Sequence, residues 1–407
     1  MNQDHVIVVG LGFGDEGKGA VVDALCAEGG VSTVVRFNGG AQAAHNVIAG
    51  GRHHTFSQFG SGTLAGVPTW LSRYVLVEPI ALATESRELE ALGVANPLSL
   101  MSVDAGALLT TPFHVAANRA RERARGGDRH GSCGKGIGET AWYGLLAGAS
   151  EGDVVEGQRV LGEPGPAPTV GDCLNPAVLR RRLDALARFY EPLIGDGPDV
   201  GELVGLYTAF ADAVRITTGD EAGRLADSGR LVFEGAQGVL LDETHGFHPH
   251  TTWSTTTPRN AKALLGGRPA RVLGVTRTYQ TRHGAGPLPT EDQSVLDRFP
   301  EAHNGTGEFQ GAWRAGHLDA TLLRYSVDCC GGIDGLAVTH LDAGGLKVAI
   351  GGALEDLSDP VTYLEDLLGV DVLVTGTGPT RADYAVRENS AHDRVDVGVG
   401  GRDRAPV

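Results

Sequence analysis

Residues 5–28 narrow the folds open to this chain: an apolar strand over 5–10, with Val6-Ile7-Val8-Val9 at its centre, runs straight into a glycine-rich loop and then a helix over about 17–28. Within the loop, Gly12, Gly17 and Lys18 satisfy the spacing G-x-x-x-x-G-K, in which backbone N–H groups and a lysine surround phosphate oxygens. Gly19 stands where that pattern has a magnesium-binding serine or threonine, and Asp15 and Glu16 stand inside the loop. Two carboxylates beside a phosphate repel it unless Mg²⁺ lies between them, or unless one takes a proton from a substrate. The loop therefore reads as P-loop-like and built for phosphoryl chemistry with its own base; the alternative is a glycine-rich turn that binds nothing.

Further apolar runs alternate with helix-like segments, the pattern of a parallel sheet covered on both faces. Strands are expected at 32–38, 231–235, 271–276, 336–342 and 370–376, each ending in polar or glycine residues as strands facing a ligand crevice do. The fold class this implies is α/β: a large, mostly parallel central sheet flanked by helices, with the P-loop-like loop after the first strand. Residues 114–125 read as a charged helix. A Gly- and Pro-rich stretch at 151–172 reads as a surface loop, and helices at about 176–191 and 200–214 follow it. The organisation expected is one domain over 1–407, with a helical insertion at about 151–225 that carries no catalytic group and a loose tail at 391–407.

A net charge of −16 over 407 residues argues against a general nucleic-acid binder, which needs a basic face, so anionic substrates must be met by local cations. The five cysteines lack paired C-x-x-C spacing and support neither a disulfide framework nor a zinc site. There is no run of about 18 apolar residues, and residues 1–5 lead into a strand without a leader pattern. A soluble cytoplasmic protein without membrane partners is expected.

A second loop, Arg36-Phe37-Asn38-Gly39-Gly40-Ala41-Gln42-Ala43-Ala44-His45, brings an imidazole to the same sheet edge as Asp15, and a carboxylate and an imidazole across a phosphate site make a base and acid pair. Together with Gly14-Asp15-Glu16-Gly17-Lys18-Gly19, this loop resembles the W-G-D-E-G-K-G and R-[YF]-x-G-G-H-N-A-G-H-T patterns of the adenylosuccinate synthetase family. Phe233-Glu234-Gly235-Ala236-Gln237-Gly238, Gly284-Ala285-Gly286-Pro287-Leu288-Pro289-Thr290-Glu291, Gly332-Ile333-Asp334-Gly335-Leu336 through Asp342, and Thr375-Gly376-Thr377-Gly378-Pro379 are similar to further family segments, in order along the chain. The resemblance implies a homodimeric GTP-dependent C–N ligase of purine biosynthesis. Its substrates are small molecules, inosine monophosphate (IMP) and aspartate, with GTP as co-substrate and Mg²⁺ as the metal.

On the resemblance, Asp15 is the base and a Mg²⁺ ligand with the Ala44 backbone carbonyl, His45 is the acid at the transferred phosphoryl group, and Lys18 clamps phosphate. Gly14, Glu16, Gly17, Lys18, Gly19, His340, Asp342, Thr377, Gly378 and Pro379 would bind GTP, with Asp342 accepting from guanine N1 and N2. Gln42, Ser132, Cys133, Lys135, Gln237, Thr252 and Arg314 would bind the acceptor.

The chain also departs from the family pattern. The family's G-A-T-T-G-R-x-R-R loop, which grips the aspartate carboxylates, corresponds to 307–319, where Arg314 is the one remaining arginine and Glu308 is acidic. A dicarboxylate site normally needs bidentate arginines. Lys135 replaces an arginine, Cys133 a threonine and His340 a lysine, and the arginine expected near residue 148 to reach a partner's 5′-phosphate pocket is absent from Ala147-Gly148-Ala149. Four readings follow: the family reaction on IMP and aspartate, a divergent ligase with a different acceptor or amine, a kinase-like enzyme that stops at the phosphorylated intermediate, and a non-catalytic nucleotide sensor, which the presence of Asp15, Lys18 and His45 disfavours because a sensor needs no base and acid pair.

Overall fold

The computed structural model describes residues 4–127, 129–301 and 308–387; the parts of the expectations that fall on residue 307 and on the tail 391–407 lie outside the described residues. Among the described residues ten strands form the central sheet: β1 (His5–Gly10), β2 (Val31–Arg36), β3 (Thr69–Leu71), β4 (Met101–Asp104), β5 (Arg215–Thr217), β6 (Arg230–Gly238), β7 (Ala270–Arg277), β8 (Gly335–Thr339), β9 (Val372–Gly376) and β10 (Tyr384–Val386). Their order is β10-β9-β8-β7-β1-β6-β2-β3-β4-β5. Every neighbouring pair is parallel except β9 with β10.

The period of two along β1 sends alternate side chains to opposite faces. Ile7 and Val9 pack with Phe37, Phe233, Leu336 and Val338 on one side. Val6 and Val8 meet Val21, Val22 and Leu25 of helix α1 (Lys18–Ala27) on the other. Strands β3, β4 and β5, of three or four residues each, are absent from the sequence expectation because runs so short carry no readable period.

Helix α2 (Pro112–Arg125) begins with proline in its first turn and a capping box between Thr111 and His114. With α3 (Ile137–Gly144), α4 (Pro176–Ile194) and α5 (Val200–Ala213) it covers the β3–β4 end of the sheet through Phe113, Trp142, Leu183, Phe189 and Tyr207. The segment 151–225 holds a hairpin (Val154–Val155 with Gln158–Arg159), α4, α5 and β5. Because β5 pairs with β4, this segment returns into the central sheet.

A smaller four-stranded sheet is built from Tyr279–His283, Trp313–Asp319, Lys347–Ile350 and Ala353–Asp356. Its first two strands are antiparallel, with Arg282 opposite Arg314. No helix among the described residues is long and apolar enough to cross a membrane.

Candidate active site

The loops at the carboxyl ends of β1, β2, β6, β7, β8 and β9 surround a cleft of about 730 Å³, where ligands of open α/β sheets gather. Asp15, Lys18, His45, Gln42, Ala44, Gln237, Thr252, Ser132, Cys133, His340, Asp342, Gly378 and Pro379 all line it. Residues spread over more than 360 positions of sequence thus meet in one space.

Within the loop after β1, the physical arrangement differs from a simple phosphate cradle. Glu16, only 3% exposed, turns inward, and its Oε1 accepts from the N–H groups of Gly12 (3.0 Å) and Gly14 (2.8 Å). Its Oε2 accepts from Lys18 Nζ. Glu16 therefore organises the loop and does not line the cleft, while Lys18 does. Gly238 is required beside it: a Cβ there would stand 2.2 Å from the Gly12 carbonyl oxygen and 2.3 Å from Glu16 Oε1.

Asp15 sits at φ 59°, in the left-handed region that short polar side chains tolerate best. Arg277 holds that conformation by donating from Nε to the Asp15 carbonyl oxygen at 2.5 Å. Desolvation raises the Asp15 carboxyl above the usual aspartate range, against the opposing charges of Arg277 and Lys18. A carboxylate so placed is a stronger base than one in water.

His45 begins the strand His45–Ala49 and meets Glu234 in the middle of β6. Its Nδ1 lies 2.6 Å from Glu234 Oε1. Glu234 is completely buried and also accepts from the Ser61 N–H at 2.9 Å and from the Ser61 hydroxyl. Burial would raise its carboxyl, but Arg36 and His45 outweigh that and bring it down to about 2. Glu234 is therefore ionised and can only accept, so Nδ1 is the protonated nitrogen and Nε2 is left for the cleft. Burial lowers the His45 imidazole, with Glu234 opposing, which keeps the unliganded ring neutral near pH 7.

Asp342, Gly378, Pro379 and Tyr384 line the cleft together with His340. His340 sits at φ 59°, its Nδ1 3.0 Å from Thr339 Oγ1. Burial and then Arg277 lower it to about 2, so it is a neutral ring where the family pattern has a lysine. Thr377 is exposed, bonded to the Asp383 carbonyl, and does not line the cleft.

The lining also holds two carboxamides with unspent capacity. Both amide atoms of Gln42, and Oε1 of Gln237, are shielded from solvent without a hydrogen-bond partner among the described residues. Buried polar atoms left unpaired are costly, so such atoms in a cleft mark where a ligand completes the bonding. Ser132 is anchored by donating to Asn118 Oδ1 of α2 at 2.9 Å. Lys135 is exposed and outside the lining, and Arg314 lies in a neighbouring hollow.

Sequence reasoning missed four features of this site. Arg277, Glu234 as the partner of His45, and the charged face of α2 all belong to it. The hairpin turn at Glu156, Gly157 and Gln158 also lines the cleft, although its Gly- and Pro-rich segment reads as a remote surface loop. The Phe233-Glu234-Gly235 segment was legible as a motif, but the pairing of its carboxylate with a histidine 189 positions away was not.

The family model for adenylosuccinate synthetase matches residues 7–351. Adenylosuccinate synthetase from Neisseria gonorrhoeae is 34% identical over 356 residues, covering 83% of this chain and 77% of the relative. The enzyme from Xanthomonas campestris is 36% identical over 352 residues, with the same coverage of both chains. Among solved structures, adenylosuccinate synthetase from Plasmodium falciparum superposes with a TM-score of 0.77 at 21% identity, covering 95% of this chain and 100% of that one. Succinoaminodeoxyadenylate synthetase of cyanophage S-2L shares the fold with a TM-score of 0.65 at 18% identity, covering 95% of this chain and 96% of that one.

Proposed function

Given that this chain belongs to the adenylosuccinate synthetase family, whose function is the GTP-dependent ligation of IMP to aspartate, we propose that its cleft carries out that reaction with Asp15 and His45 as the catalytic pair. The observation that carries the assignment is the meeting, in one cleft, of a desolvated Asp15 carboxyl and an imidazole locked by Glu234. Asp15 takes the proton from purine N1 and the 6-oxygen attacks the γ-phosphorus of GTP, with GDP leaving. The aspartate amine then displaces phosphate at C6. His45 Nε2 faces the transferring phosphoryl group, and the negative charge arriving there favours the protonated ring and its acid role.

Asp342 supplies an acceptor-only group for the two donors on the guanine edge, which adenine cannot match. The acceptor would supply Gln42 and Gln237 with the hydrogen-bond partners that they lack among the described residues. The Asp15 carboxylate and the Ala44 carbonyl border the same space and are hard oxygen donors of the kind Mg²⁺ takes alongside substrate phosphates. These residues would hold the ion, which supplies charge neutralisation at the phosphates. A homodimer in the cytoplasm accords with the family resemblance.

The test is to incubate the protein with GTP, Mg²⁺, IMP and aspartate, omitting each in turn, and to follow product mass. Adenylosuccinate should form only with all four present; phosphate release without aspartate, or no product from IMP, refutes the assignment. Asp15→Asn should abolish turnover while GTP still binds, and retained turnover would remove Asp15 from the role of base.

A further inference from the structure

A hollow of about 510 Å³ lies beside the cleft and shares Gly131, Ala285 and Gln310 with it. Two arginines, Arg129 and Arg314, stand in its wall, which is where the attacking substrate of a two-substrate cleft would place a carboxylate.

Arg314 has little left to offer. Its Nε donates to Glu291 Oε1 at 2.9 Å and its Nη2 bonds the other oxygen of the same carboxylate. Its Nη1 donates to the carbonyls of Gly284 (3.0 Å) and Gly286 (2.7 Å). Arg282, directly opposite in the sheet, is spent in the same way on the carbonyls of Ala285, Pro287 and His250. Both therefore act as staples of the 284–291 loop, and the charge of Arg314 is already matched by Glu291.

Arg129 differs. It follows the end of α2, and Nη1 donates to the Glu308 carbonyl oxygen at 2.8 Å. Its Cζ lies 5.8 Å from the centre of the Phe309 ring, and Arg123 Cζ lies 5.3 Å from the same ring centre. The Glu308 carboxylate is 3.5 Å from Arg123 and not paired with Arg129. Arg129 Nε is shielded from solvent with no partner among the described residues, a cost that a bound acceptor group would remove.

We infer that Arg129, not Arg314, is the cation that receives a carboxylate of the amine substrate, and that this chain has moved that contact from the 307–319 loop to the segment after α2. The inference rests on the ligase reading of the cleft. It makes Arg129 a specificity-determining residue for an anionic amine, with Phe309 fixing the plane of its guanidinium and Arg314 holding the wall behind it.

The test is steady-state kinetics of the full-length protein with GTP, Mg²⁺, IMP and varied aspartate, for Arg129→Ala, Arg129→Lys and Arg314→Ala, with thermal unfolding to verify folding. Loss of a charge-assisted contact should raise the KM for aspartate by on the order of tenfold to a hundredfold in Arg129→Ala, with the KM values for GTP and IMP within about twofold. Arg129→Lys should recover part of the loss, because it keeps the charge without the fork. An unchanged aspartate KM in a folded Arg129→Ala overturns the inference, as does a selective aspartate defect confined to Arg314→Ala. If the parent protein forms no product from IMP and aspartate, the ligase reading fails instead, and the two failures are told apart by that control.

Discussion

Replacing Glu234 with glutamine removes one charge from the centre of the molecule while preserving shape. The carboxylate receives His45 Nδ1 at 2.6 Å and the Ser61 N–H at 2.9 Å, with no exposed surface of its own. Lowering its carboxyl from 4.5 to about 2 corresponds to about 3 kcal/mol in favour of the ionised form within the fold. The neutral amide forfeits that and removes the negative charge that the buried Arg36 guanidinium acts on. Thermal unfolding should therefore shift downward.

The catalytic effect of this substitution is separable from the stability effect. An amide can offer either its oxygen or its NH₂ to Nδ1, so the imidazole is no longer fixed in one tautomer, and loss of such an orienting partner typically costs about 10–100-fold. The assay is phosphate release against GTP and IMP at a temperature where the variant is fully folded. We expect a fall in kcat of about that size with little change in either KM, because His45 acts on the transferring group rather than on ground-state binding. A folded Glu234→Gln variant with kcat within about threefold of the parent would refute the idea that Glu234 sets the state of His45.

Gln42→Met fills nearly the same volume while deleting two amide atoms that lack partners, so the unliganded protein should become slightly more stable while the KM for the acceptor rises about tenfold; unfolding curves and IMP titration check both halves. His114 is completely buried, and burial lowers it from 6.5 to about 3. Because the folded value is the lower one, the unfolded chain binds the proton first. Stability is complete above about pH 6.5 and falls by about 1.4 kcal/mol per pH unit as pH drops from there toward 3. His114→Gln, which keeps a residue able to close the capping box, should flatten that part of the denaturation profile, and an unaltered slope would show that another group is responsible.

Legibility followed the range of the physics. β1, the loop after it and α1 were readable because an apolar strand, glycines and a helix lie within one contiguous stretch. The longer strands β6, β7, β8 and β9 were readable for the same reason. The tripeptide strand β5 was not, since its membership in the sheet comes from pairing with β4 more than a hundred positions earlier. Most residues of the candidate site were named in advance because they belong to motifs. Their states were not: Glu16 reads as a phosphate neighbour and is instead the strut of its own loop, and Arg314 reads as a free cation and is instead bound to Glu291.

What the sequence determined alone was therefore the class of fold, the family and the motifs that carry Asp15, Lys18 and His45, since local hydrophobic period and loop chemistry act over short spans of chain. Tertiary structure decided which of those groups are charged, which are already satisfied and which are open to a ligand. Burial and partner choice set those properties, and the partners of Asp15, His45 and Arg129 are Arg277, Glu234 and Glu308, each brought within reach by folding from more than 170 positions away.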